Sequence, residues 1–132
     1  MTVVVDASVV VAAFVDSGEV GRWAAQQLGR ARLAAPHLMP VEVASVLRRA
    51  ELARDLSPDI ASLAYADLLD LPADLFPYEP FADRVWDLRH TVTAYDAWYI
   101  ALAESLETTL FTLDRRLEAA PGPTCHFDTP PS

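Results

Sequence analysis

The sequence predicts an α/β fold, with strands that alternate with helices around a parallel sheet. Thr2-Val3-Val4-Val5 is a β-branched, unbroken apolar run of the kind needed by a central strand buried on both faces. Most segments between the strand candidates repeat apolar residues every three or four positions, as amphipathic helices do. Four acids, Asp6, Glu42, Asp96 and Asp114, fall just beyond a strand candidate or at the start of a helix. In open parallel sheets the carboxyl edge of the strands is where ligands bind.

Each element follows from local chemistry. After the first strand, residues 7–15 are read as a helix, because a longer strand would carry Asp6 unpaired through its middle; Asp6 or Ser8 supplies the cap. A second helix spans Glu19 to Gly29, with Val20, Trp23, Ala24, Gln27 and Leu28 on one stripe. Leu33 to Pro36 is a strand stopped by proline. Pro40 opens a helix to about Leu52, with Val43, Val46, Leu47 and Ala50 as its apolar face. Ser57-Pro58-Asp59 starts the next helix as a cap followed by proline, and Ile60, Leu63, Ala64, Leu68 and Leu71 form its stripe. Leu75-Phe76-Pro77 is a weak third strand. Pro80 opens a short helix carrying Phe81, Val85, Trp86 and Leu88, and Thr93 opens another through Glu104. Leu110 to Leu113 makes a fourth strand, Arg115 to Ala119 a brief helix, and Cys125-His126-Phe127 a fifth strand. The proline-containing end, Thr129 to Ser132, is expected to fray.

At 132 residues the chain makes one domain, 1–128, with a short tail, 129–132. Its single cysteine, Cys125, excludes an internal disulfide and a cysteine-built zinc site, and points to a cytoplasmic setting. No apolar run approaches the ~20 residues that span a bilayer. The net charge is -9 and all ten basic residues are arginine. Without lysine there is no P-loop and no Schiff-base chemistry. The acidic balance also argues against a DNA binder with a broad basic face.

What remains rests on carboxylates. Singly, Asp6 and Asp114 fit helix N-caps, and Glu42 and Asp96 fit first turns where the helix dipole favours negative charge. Together at one sheet edge they repel one another unless a cation compensates. Oxygen ligands suit Mg2+ or Mn2+, and Mg2+ is often held by only one or two carboxylates with waters completing its shell. His37, His90 and His126 lie in separate segments without ligand spacing, and read as solvated or packed. Trp23, Trp86 and Trp98 read as core or groove fillers.

The segments Val3-Val4-Val5-Asp6-Ala7-Ser8, Pro40-Val41-Glu42-Val43, Thr93 to Glu104 with Tyr95-Asp96-Ala97 at its start, and Leu110 to Leu117 with Asp114 inside it closely resemble PIN-domain ribonucleases. Within that family the chain is similar to the small VapC-type toxins of bacterial toxin-antitoxin pairs. The resemblance implies a three-layer α/β/α domain with a central, mostly parallel, five-stranded sheet. It also implies Mg2+- or Mn2+-dependent hydrolysis of RNA by metal-activated water, a homodimer, and a VapB-like antitoxin whose arm obstructs the cleft. It carries the metal-binding and catalytic roles onto Asp6, Glu42, Asp96 and Asp114. Ser8 and Thr112 match hydroxyl residues of the family and are expected to orient a carboxylate or a water. Arg115 and Arg116, directly after Asp114, are candidates for a substrate phosphate.

Two alternatives come from other classes. One is a catalytically silent PIN-like module that binds RNA or a protein partner, against which the presence of all four acids speaks. The other is a phosphatase with an aspartate nucleophile, which would carry a second aspartate two positions after Asp6. Ser8 stands there instead.

Overall fold

The computed structural model describes residues 1–132. In chain order they form β1 (Thr2–Val5), α1 (Ala7–Val15), α2 (Glu19–Arg30), β2 (Arg32–Pro36), α3 (Met39–Leu52), α4 (Pro58–Asp70), β3 (Ala73–Phe76), a 3-10 turn (Glu79–Phe81), α5 (Ala82–Asp87), α6 (Ala94–Ser105), β4 (Thr109–Phe111), α7 (Arg115–Ala119) and β5 (His126–Asp128). The strands make one sheet in the order β3-β2-β1-β4-β5, and every pair is parallel. Because β1 is central and hydrogen-bonded on both sides, its apolar run is needed whole, and Val3, Val4 and Val5 are fully buried.

The order of strands reverses at β1. The chain steps from β1 to β2 and β3 on one side, then crosses back to β4 and β5 on the other. Right-handed crossovers therefore layer α1 to α4 on one face and α5 to α7 on the other. Consistent with this, α1 packs on α2, α3 and α4, while α5 packs on α6. Helix α6 lies against β1, β2 and β4, and its residues Ala97 to Ala103 are all buried. The approach of α2 to α1 requires a glycine: a Cβ on Gly21 would stand 1.7 Å from the Asp16 carbonyl oxygen.

Several local expectations are corrected. The third strand begins two residues earlier than the apolar signal, at Ala73, because pairing of Leu33 with Ala73 through Pro36 with Phe76 sets its length. On α4 the buried residues are Ala61, Ala64 and Leu68, while Ile60 and Leu63 of the expected stripe are exposed. This helix seats its small residues on α3 and α1 and leaves larger ones on its flanks. Trp86 is not a core residue: it is 66% exposed, with the Arg89 guanidinium 4.5 Å above its ring. The tail is docked rather than frayed. Pro130 is buried, its carbonyl accepts a hydrogen bond from the Arg115 guanidinium, and Pro130 and Pro131 share a cavity wall with Val20 and Trp23 of α2. No helix is long and apolar enough to cross a membrane.

Candidate functional site

Sheet register builds the centre of the site. Val5 pairs with Phe111, and the Asp6 N–H donates to the Phe111 carbonyl at 3.0 Å, so the first residue past β1 stands beside the first residue past β4. That neighbour is Thr112, which is fully buried and donates its hydroxyl to Asp6 Oδ2 at 2.8 Å. Ser8 donates to the same oxygen at 3.2 Å and accepts the Leu113 N–H at 3.2 Å. The expected cap on α1 is therefore absent. No side-chain cap bond forms, because Asp6 Oδ2 is taken by Thr112 and Ser8, and the Ser8 hydroxyl is engaged by Asp6 and the Leu113 N–H.

Glu42 sits in the first turn of α3, just beyond β2, and its Oε1 accepts the Tyr99 hydroxyl at 2.6 Å. Asp96 sits in the first turn of α6, whose cap is Thr93: the threonine oxygen accepts the Asp96 N–H at 3.2 Å. Asp114 is the cap of α7 and holds Arg116 twice, through its backbone N–H at 3.0 Å and through its guanidinium at 2.9–3.0 Å.

Electrostatics divides the four acids into three and one. Burial pushes the Asp6 carboxyl above its ordinary range, against the hydroxyl bonds of Thr112 and Ser8. Burial also raises Glu42, opposed by the Tyr99 bond and reinforced by Asp6 and Asp96. Asp96 is raised by burial and then by Asp6, with Asp114 adding to it. Asp114 goes the other way, because the Arg116 guanidinium holds its carboxyl below the usual range. No salt bridge reaches Asp6, Glu42 or Asp96; the ion pairs join Arg32 to Asp74, Arg84 to Glu104 and Arg116 to Asp114.

The structure thus gathers Asp6, Glu42 and Asp96 into one repelling cluster, with Asp114 on the rim beside Asp96. The recess between Asp96 and Asp114 measures about 270 Å3 and is walled by Thr91, Val92 and Thr93 on one side and Arg116 and Leu117 on the other. No three carboxylates, histidines or thiols converge closely enough to enclose an ion by themselves. The donor set fits a hard cation that keeps most of its waters: oxygen atoms only, with no ion pair to Asp6, Glu42 or Asp96, and not closed into a cage. Both hydroxyl bonds to Asp6 fall on Oδ2 and the bond to Glu42 falls on Oε1, so each carboxylate keeps an oxygen turned from these partners.

Of the two arginines, Arg116 is at the recess and Arg115 is turned away to the Pro130 carbonyl. The three histidines are exposed and none borders the recess. Tyr99 was not singled out by its sequence. The available signal is that it follows Asp96 by three positions on α6, hence on the same helix face.

Comparison with known proteins gives a consistent result. The family model described as PIN domain matches residues 3–123. The chain is 42% identical over 125 residues to Ribonuclease VapC1 of Mycobacterium tuberculosis, covering 94% of each chain. In fold it is similar to a chain of VapBC2 from Rickettsia felis, solved bound to a DNA fragment from their promoter, with a TM-score of 0.70 at 10% identity over 99% of this chain and 100% of that one. It also shares the fold of VapC20 of Mycobacterium tuberculosis, a sarcin-ricin loop cleaving toxin, with a TM-score of 0.67 at 15% identity over 89% and 93% of the two chains.

Proposed function

The chain belongs to the PIN domain family, and on that premise we propose that it is a metal-dependent endoribonuclease acting as the toxin of a toxin-antitoxin pair. One observation carries the reading. Asp6, Glu42 and Asp96 are each raised by burial, Glu42 and Asp96 are raised further by Asp6, and no salt bridge reaches any of the three. A folded protein keeps such an arrangement when an external cation is its partner.

In this reading Asp6, Glu42 and Asp96 would hold a Mg2+ or Mn2+ ion, with Asp114 contributing from the rim. When bound, the ion would acidify a water and offset negative charge on a phosphodiester. Thr112 and Ser8 fix the Asp6 carboxylate through Oδ2. Asp96 faces the recess where a phosphate would enter, and Arg116, whose guanidinium is almost wholly exposed, exchanges Asp114 for that phosphate. Arg115 reaches a phosphate only by leaving the Pro130 carbonyl. The negative charge of the chain, -9, makes RNA binding local to the metal and to these arginines.

The reading includes a single nuclease domain over residues 1–128, a homodimer, a VapB-like antitoxin and a cytoplasmic site of action. The likeness in fold to VapBC-5 of Mycobacterium tuberculosis, a member of the VapBC family of toxin-antitoxin systems, supports the antitoxin. The apolar flank of α4, with Ile60 and Leu63 exposed, supports a protein partner on this side of the molecule.

Cleavage of total RNA by the purified, antitoxin-free chain tests the proposal. Discrete fragments are expected with Mg2+ or Mn2+, none with EDTA, and none from Asp6→Ala or Asp96→Ala. A folded, metal-loaded wild type that leaves RNA intact would overturn it.

A further inference from the structure

Tyr99 lies one turn along α6 from Asp96 and is 1% exposed. Its phenol reaches Glu42 on α3, 57 residues away in sequence, with an oxygen-oxygen distance of 2.6 Å. That is the short end of O–H···O distances, as expected when the acceptor is ionised. At this depth the phenol has no water to turn to, so any rotation of Glu42 away from it strands a buried donor. The bond therefore selects one of the several staggered orientations open to a glutamate. It also occupies Oε1 and leaves Oε2 outside the bond.

The same logic is built at Asp6, where Thr112 and Ser8 both take Oδ2. Asp6 and Glu42 are each held on one oxygen by hydroxyls fixed in the protein. Asp96 is served by Thr93, the cap of its own helix, and Asp114 is held by the exposed Arg116. Glu42 is repelled by both Asp6 and Asp96, so without the phenol it would swing outward, away from them.

We propose that Tyr99 is a positioning residue, whose hydroxyl holds Glu42 inward with its second oxygen directed to a divalent cation. This rests on the metal-dependent reading of the site and assigns a residue to it that no carboxylate pattern identifies.

Mn2+ titration of the EDTA-stripped, full-length protein tests the inference without reference to turnover. Tyr99→Phe is expected to bind Mn2+ about 10- to 100-fold more weakly than wild type, the usual effect of removing an outer partner of a metal ligand. In a Glu42→Gln background, the same substitution should cause no further loss, because the two residues act as one unit. A second measurement needs no variant: the buried phenolic proton should give a slowly exchanging NMR resonance that shifts as Mg2+ saturates the site. Unchanged Mn2+ affinity in Tyr99→Phe, losses that add in the double variant, or a resonance indifferent to Mg2+ would each overturn the role of Tyr99. Asp6→Ala separates this from failure of the underlying reading. If wild type and Asp6→Ala bind Mn2+ alike, the metal site itself is wrong and the inference falls with it.

Discussion

At the scale of single residues, Asp6 carries the conflict on which the site depends. Its carboxylate is held by two hydroxyls, yet burial still opposes its charge. Asp6→Asn should therefore abolish cleavage, by at least about 100-fold, while raising the metal-free melting temperature. A relief of about 1 kcal/mol corresponds to roughly 2–4 °C in a domain near this size. Melting both proteins in EDTA checks the second half, and a lower midpoint for the variant would contradict it. The pH dependence follows with a definite sign. Asp6, Glu42 and Asp96 have raised native pKa values, so the native state holds more protons than the unfolded chain above the ordinary carboxylate range of about 4. Their contribution to stability is full below that range and is lost as pH rises through the raised values. Asp114 and Glu104, whose native values are lowered, contribute the opposite slope only at acid pH. Denaturant titrations without metal should show stability falling above about pH 5, and Mg2+ should flatten the fall; a metal-free rise across that range would refute the assignment. The acids themselves were legible because a charge interrupts an apolar run. Tyr99 and the exposure of Trp86 were not, since both depend on which distant residue stands opposite.

At the scale of elements, helix starts and helix ends were both legible, while the start of β3 was not. Ser57-Pro58 and Thr93 announce α4 and α6 by their caps, and both cap bonds form. The ends of α3 and α6 use a left-handed residue with paired backbone bonds. Asp55 N–H reaches the Ala50 carbonyl and Arg54 N–H the Glu51 carbonyl; Thr108 and Glu107 do the same to Ala103 and Glu104. The left-handed positions, Arg54 at φ 65° and Glu107 at φ 52°, would be glycine in the commonest form of this motif. Neither position is glycine, yet the ends read at about Leu52 and Glu104 fall within one residue of those observed. Arg54→Gly should accordingly stabilise the fold by up to about 1 kcal/mol, because the cost of a side chain in that conformation disappears. Urea unfolding measures this, and a destabilised variant would show that the Arg54 side chain does more than tolerate its backbone. The misread stripe on α4 has a different origin. The polar face of that helix, Asp59, Ser62, Asp67 and Asp70, brackets Leu63, so the buried stripe follows the small residues Ala61 and Ala64 with Leu68 rather than the largest apolar ones.

At the scale of the whole molecule, alternation of strands and helices gave the layered architecture, and the reversal of strand order at β1 gave the site its position. The docking of the last residues was not legible, because Thr129 to Ser132 has the composition of a loose end. In the structure those residues link α2 to the start of α7 through Pro130 and Arg115. Deleting residues 129–132 should cost about 1 kcal/mol, the scale of one hydrogen bond to a charged donor together with partial proline burial. It should also make α7 more sensitive to proteases. Unchanged melting and proteolysis would mean that the tail merely rests on the surface.

The hydrogen bond from Thr112 to Asp6 joins residues 106 positions apart, and this has a meaning for how the protein is made. Asp6 leaves a ribosome 106 residues ahead of Thr112, the hydroxyl that fixes its carboxylate. A chain arrested before Leu110 should therefore neither bind Mn2+ nor cut RNA, and cleavage by such a fragment would disprove the dependence. For a ribonuclease, the strand order acts as a timer in translation, withholding the active centre until β4 has been made and has paired with β1.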